Sequence, residues 1–117
     1  MAKNNCQLKI SYEDGLLVAR LCGELDHHSA VAVRTLIDSE IKKHSPVKAV
    51  LDMKDLDFMD SSGIGLIMGR FALMEKLGGE FAVSNPNDRI VKIFRLAGLD
   101  RFVRIEESLQ AGKEKTQ

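Results

Sequence analysis

Leu8, Ile10 and Tyr12 alternate with Gln7, Lys9 and Ser11, the two-residue period of a strand buried on one face. Asp14-Gly15 follows as a hairpin turn. The nearly continuous apolar run from Leu16 to Cys22, interrupted only by Arg20, predicts a returning strand covered on both faces and closed by Gly23. Beyond Gly23-Glu24-Leu25-Asp26 the period changes. Ala30, Val33, Ile37 and Ile41 recur at three- and four-residue spacing, with Arg34, Asp38 and Lys42 off the stripe; this is an amphipathic helix that ends near His44, where Ser45-Pro46 breaks it. Val47 to Met53 then predicts a strand led in by Pro46.

The stretch DFMDSSGIGLIMGR, residues 57–70, opens a second helix that runs through Lys76 to Gly78-Gly79, where glycine supplies a left-handed cap. Phe81-Ala82-Val83 reads as a short strand. Asn85-Pro86 caps a third helix with Ile90, Ile93, Phe94 and Ala97 on one face and Gly98 past its end. Phe102 to Ile105 is the last strand, and the polar AGKEKTQ at 111–117 is a frayed tail. The order strand, strand, helix, strand, helix, strand, helix, strand predicts one α/β domain over residues 1–117. Its sheet is mixed but mostly parallel, with an N-terminal β-hairpin, packed helices and right-handed crossovers.

Composition narrows the function. Seventeen basic residues balance seventeen acidic ones, so no global field favours nucleic acid or an anionic membrane. No stretch approaches the roughly 20 apolar residues of a bilayer span, and the N-terminus lacks an apolar signal core. The expectation is a soluble cytoplasmic protein. Cys6 and Cys22 lack CxxC spacing and fall in strands, which reads as two reduced, buried thiols. Asp26, His27 and His28 form a polar cluster without a third ligand in view, so Asp26 or its neighbour is read as a helix N-cap with solvated histidines, not as a metal site.

Asp60-Ser61-Ser62-Gly63 occupies a loop from a strand to a helix, where α/β proteins usually carry function. Asp60 or Ser61 serves as N-cap, but capping does not explain Gly65 and Gly69 inside the helix, each costing about 1 kcal/mol relative to alanine. Ser62, Gly65, Gly69 and Ala72 share one stripe, while Ile64, Ile67, Met68, Phe71 and Met74 share another. The bare stripe fits either close packing on a strand or a flat docking surface flanked by Leu66 and Leu73. A serine hydrolase is disfavoured, because there is no G-x-S-x-G elbow and all three histidines precede the serines. A phosphate-binding loop is weakly signalled, since Gly63-Ile64-Gly65 lacks the third glycine of a dinucleotide fingerprint and there is no Gly-Lys-Ser/Thr. A phosphorylated serine needs only an accessible hydroxyl at this junction. The loop at Asp26 and the loop at Ser61 should open at the same edge of the sheet.

The pairing of Gly23-Glu24-Leu25-Asp26-His27-His28 with Phe58-Met59-Asp60-Ser61-Ser62-Gly63-Ile64-Gly65 resembles the anti-sigma factor antagonists of the STAS domain family, in particular its sporulation members. The resemblance covers essentially the whole chain. It implies a non-enzymatic, cofactor-free binding protein that engages an anti-sigma factor which is also an ATP-using serine kinase, freeing a sigma factor. It also implies phosphorylation by that kinase at Ser61, reversal by a serine phosphatase, and an aspartate beside the phosphorylation site at Asp26. The expected partner surface comprises Asp26, Asp60, Ser61, Ser62, Gly63, Gly65, Leu66 and Gly69. The alternative is a small nucleotide-binding domain or enzyme using the Ser61–Gly65 loop.

Overall fold

The computed structural model describes residues 6–107. Strands β1 (Cys6–Glu13) and β2 (Leu16–Leu25) form an antiparallel hairpin, followed by helix α1 (His27–His44), β3 (Lys48–Met59), α2 (Ser61–Lys76), β4 (Glu80–Ser84), α3 (Asp88–Ala97), a short 3-10 turn at Leu99–Arg101, and β5 (Arg104–Glu106). The sheet order is β1-β2-β3-β4-β5, with every pair after the hairpin parallel. The predicted mixed α/β architecture is therefore present, and the predicted tail at 111–117 lies outside the described residues.

The hairpin turns tightly because Asp14 and Gly15 both take positive φ, 51° and 83°, as a two-residue turn matched to the strand twist requires. β2 alternates buried Leu17, Ala19 and Leu21 with exposed Arg20 and Cys22. It is covered on one face, not both, and Cys22 is exposed while Cys6 alone is buried. Burial pushes the Cys6 thiol pKa up. Continuous burial belongs instead to β3, where Ala49 to Met53 are all buried between parallel neighbours.

Gly23 does not close β2. With φ 102° it marks an irregularity in the β2–β3 register, after which pairing resumes at Glu24↔Phe58 and Leu25↔Met59. β3 consequently runs to Met59, six residues beyond the predicted Met53, and the expected long loop contracts to Asp60. The third helix is capped by Asn87, whose side chain accepts from Ile90 N–H at 2.9 Å, rather than by Asn85. Asn85 sits at φ 58° and donates its amide to Asp52 Oδ1 at 3.2 Å. The last strand begins at Arg104, since Leu99–Arg101 coils first.

α1 packs on β1 and β2, and α2 on β3 and β4, burying Val33, Ile37, Ile41, Ile67 and Met74 in one core. Between the two helices lies an ion pair that hydrophobic periodicity does not reveal. Arg70 Nε is 2.7 Å from Asp38 Oδ1, yet neither atom, nor Arg70 Nη1, completes a hydrogen bond. Burial lowers the Arg70 pKa, and Asp38 counteracts it.

Removing one partner from a buried pair strands the other charge, at about 3–5 kcal/mol when both are fully enclosed. Asp38 keeps 26% of its side chain exposed, so Asp38→Asn should cost about 2 kcal/mol, and Asp38→Leu with Arg70→Met should recover most of it. Urea denaturation checks both; an unchanged midpoint for Asp38→Asn would show that the pair contributes nothing.

Candidate functional site

Because β2 and β3 end level at Leu25↔Met59, α1 and α2 begin side by side. Asp26 caps α1, with Oδ1 accepting from Ser29 N–H at 2.9 Å. The buried Ser29 hydroxyl accepts in turn from Asp26 N–H at 3.0 Å, a reciprocal capping box. Asp60 caps α2, with Oδ1 accepting from Ser62 N–H at 2.8 Å. Its Oδ2 accepts from His27 N–H at 3.2 Å, and its own N–H donates to Leu25 O at 3.1 Å. One carboxylate thus satisfies an orphan amide on each of two helices, and the two loops are neighbours as expected.

Ser61 occupies the first position of α2. It is exposed, whereas Ser62 is half-buried. Gly65 is exposed and Gly69 half-buried, and a Cβ added to either would meet nothing within 4 Å. Close packing is therefore not what their missing side chains serve. Gly63 differs: it is buried, and a Cβ there would lie 2.7 Å from Met59 Sδ. Beside the glycines a groove of about 280 Å³ runs between the helices, lined by His27, Ala30, Val31 and Arg34 from α1 and by Ser62, Gly65 and Leu66 from α2. Val31 stands 53% exposed at its side, while Leu66, at 4%, forms its floor. Of the predicted partner positions, then, Asp26, Asp60, Ser61, Ser62, Gly65 and Gly69 reach the surface, and Gly63 and Leu66 support it from beneath.

The STAS domain pattern matches residues 7–112. The chain belongs to the STAS domain family. It is 38% identical to the anti-sigma F factor antagonist of Paenibacillus polymyxa over 89% of each chain, and 25% identical to the anti-sigma-B factor antagonist of Bacillus subtilis over 92% of this chain and 97% of that one. Its fold is similar to that of the anti-sigma factor antagonist SpoIIAA in unphosphorylated form (TM-score 0.79, 28% identity, 94% and 95% covered). It also resembles the phosphorylated form of Bacillus SpoIIAA (TM-score 0.73, 27% identity, 95% and 100% covered).

In this STAS domain no described helix is long and apolar enough to cross a membrane. Among the described residues no group of three or more His, Cys, Asp or Glu is arranged to hold a metal ion. Sequence reasoning overlooked three features of the site. The Asp26-x-x-Ser29 spacing is a legible capping signal. The α1 wall of the groove, including Arg34, and the second hydrogen bond of Asp60 carry no local signal, since both depend on how α1 and α2 meet.

Since Gly65 lies in a helix interior with open space beside it, Gly65→Ala should stabilise the domain by up to about 1 kcal/mol. Thermal or urea unfolding checks this; destabilisation would mean that the glycine is required by packing after all.

Proposed function

We propose that this STAS domain is an anti-sigma factor antagonist whose open α1–α2 surface docks an anti-sigma factor and is switched by phosphorylation of Ser61. The observation that carries the reading is the combination of an exposed serine at the first turn of α2 with glycines that leave a bare surface beside it and no packing need for being glycine. The relatives' activity as anti-sigma factor antagonists supports it, as does the existence of SpoIIAA in phosphorylated and unphosphorylated forms. On this reading the anti-sigma factor is a serine kinase using ATP, a serine phosphatase reverses the mark, and the chain itself performs no catalysis. Asp26 and Asp60 frame the serine.

The switch follows from electrostatics. A phosphoserine brings about −1.5 to −2 charges at pH 7, and at a helix N-terminus the dipole and free amides tolerate it. The fold therefore persists. Exposed Asp57 and half-buried Asp26 and Asp60 already bias this edge negative, so a partner that fits the unmodified surface must desolvate or match a further dianion. Affinity falls by local repulsion and misfit.

Incubation with the cognate anti-sigma kinase and ATP, followed by peptide mass spectrometry, should add one phosphate at Ser61 and none at Ser62. Phosphate on Ser62 alone, or on neither serine, would overturn the assignment. Incubation with ATP and no kinase should give neither turnover nor tight nucleotide binding; either result would favour a nucleotide-binding domain or enzyme.

Surface and stability should separate in the variants. Ser61→Asp and Gly65→Leu should keep native circular dichroism and melt no lower than the parent chain, yet bind the anti-sigma factor at least about tenfold more weakly, a loss of about 1.4 kcal/mol. Ser61→Ala should bind and resist inactivation by ATP. Asp26→Asn keeps the cap, so normal binding and phosphorylation there would leave Asp26 a structural role alone.

A further inference from the structure

The sheet has two edges, and they are treated differently. β5 exposes three residues, Arg104–Glu106, and short edge strands resist unwanted pairing. β1 exposes eight, Cys6–Glu13, in uninterrupted register with β2 and without a bulge or proline. Among the described residues its only strand neighbour is β2, so from Leu8 to Tyr12 alternate backbone groups face outward without a described sheet partner. An apolar groove flanks this edge on the helical face, lined by Leu8, Ile10, Leu36 and Glu40, with Leu36 54% exposed.

The charges on β1 are also incomplete. Lys9 pairs across the hairpin with Arg20, a like-charge neighbour that destabilises a cross-strand position. Arg20 has its own carboxylate, Asp52, at 3.2 Å. Among the described residues neither Lys9 nor Glu13 has an ion-pair partner.

We infer that the outer edge of β1 pairs antiparallel with β1 of a second copy of this chain, about a twofold axis through Ser11. That register sets Lys9 opposite Glu13 of the second copy, and Glu13 opposite its Lys9, so both orphan charges are matched twice by symmetry. Ile10 then faces Tyr12 of the second copy, a β-branched–aromatic pair on the helical side, next to the groove under Leu36. Shifting the axis by one residue toward the N-terminus leaves Lys9 facing serine, and shifting it by two sets Lys9 against Lys9. Charge therefore selects the register. The edge lies on the flank of α1 away from α2, so pairing leaves Ser61 and its groove open. The inference does not depend on phosphorylation of Ser61.

Sedimentation equilibrium of the full chain from about 10 μM to about 1 mM, the span of weak self-association, should show the average mass rising from 13.0 kDa toward twice that value. Lys9→Glu and Glu13→Lys should each raise the dissociation constant at least tenfold, as should Leu36→Lys. The double variant Lys9→Glu with Glu13→Lys should restore it. These residues lie at the surface, so circular dichroism should stay native. A monomer throughout the range overturns the inference and leaves the edge for a strand of another protein. Single charge variants that dimerise like the parent, or a double variant that fails to recover, overturn it as well.

Discussion

The carboxylate of Asp60 holds the beginnings of two helices at once. One oxygen accepts the Ser62 amide of α2, and the other accepts the His27 amide of α1. Four amides at each helix start lack internal partners, so a carboxylate shared between two starts fixes their relative position while compensating both dipoles. This arrangement requires β2 and β3 to end level, which their parallel pairing past the Gly23 irregularity achieves. The exposed serine follows Asp60 directly, so the group proposed to change charge sits on the joint that positions the proposed docking surface.

That surface is held from below. Leu66 and Gly63 pack inward, the latter against Met59, and the Arg70–Asp38 contact spans α1 and α2 further along. A face braced at both ends responds to a new charge by changing its chemistry more readily than its shape. The chain is similar in fold to SpoIIAA in both its unphosphorylated and its phosphorylated form, which accords with the proposed switch leaving the fold in place.

Local signals predicted what local physics determines. The Asp14-Gly15 turn, the left-handed Gly98 cap at φ 75°, the α1 stripe and the capping aspartates all follow from residues within one or two turns of each other. Errors arose where distant strands decide. β3 outran its apolar segment because β2 continued beside it, and Cys22 faces out because β2 is covered on one face only. Asn85 was drawn into hydrogen bonding with Asp52, leaving Asn87 to cap α3. At the site, the glycines were legible as anomalies, but only their surroundings separate Gly63, which packs, from Gly65 and Gly69, which leave space. Arg34 entered the groove unannounced for the same reason.

A phosphate on Ser61 is proposed to alter a surface and not a fold. Amide hydrogen exchange on the unmodified chain and on the chain carrying phosphoserine at position 61 tests it most directly. Differences should be confined to the first turns of α1 and α2 around Asp26 and Asp60, with protection across β2, β3 and the buried faces of the helices unchanged. Loss of protection spreading through the sheet or along α2 would contradict it and make the switch conformational.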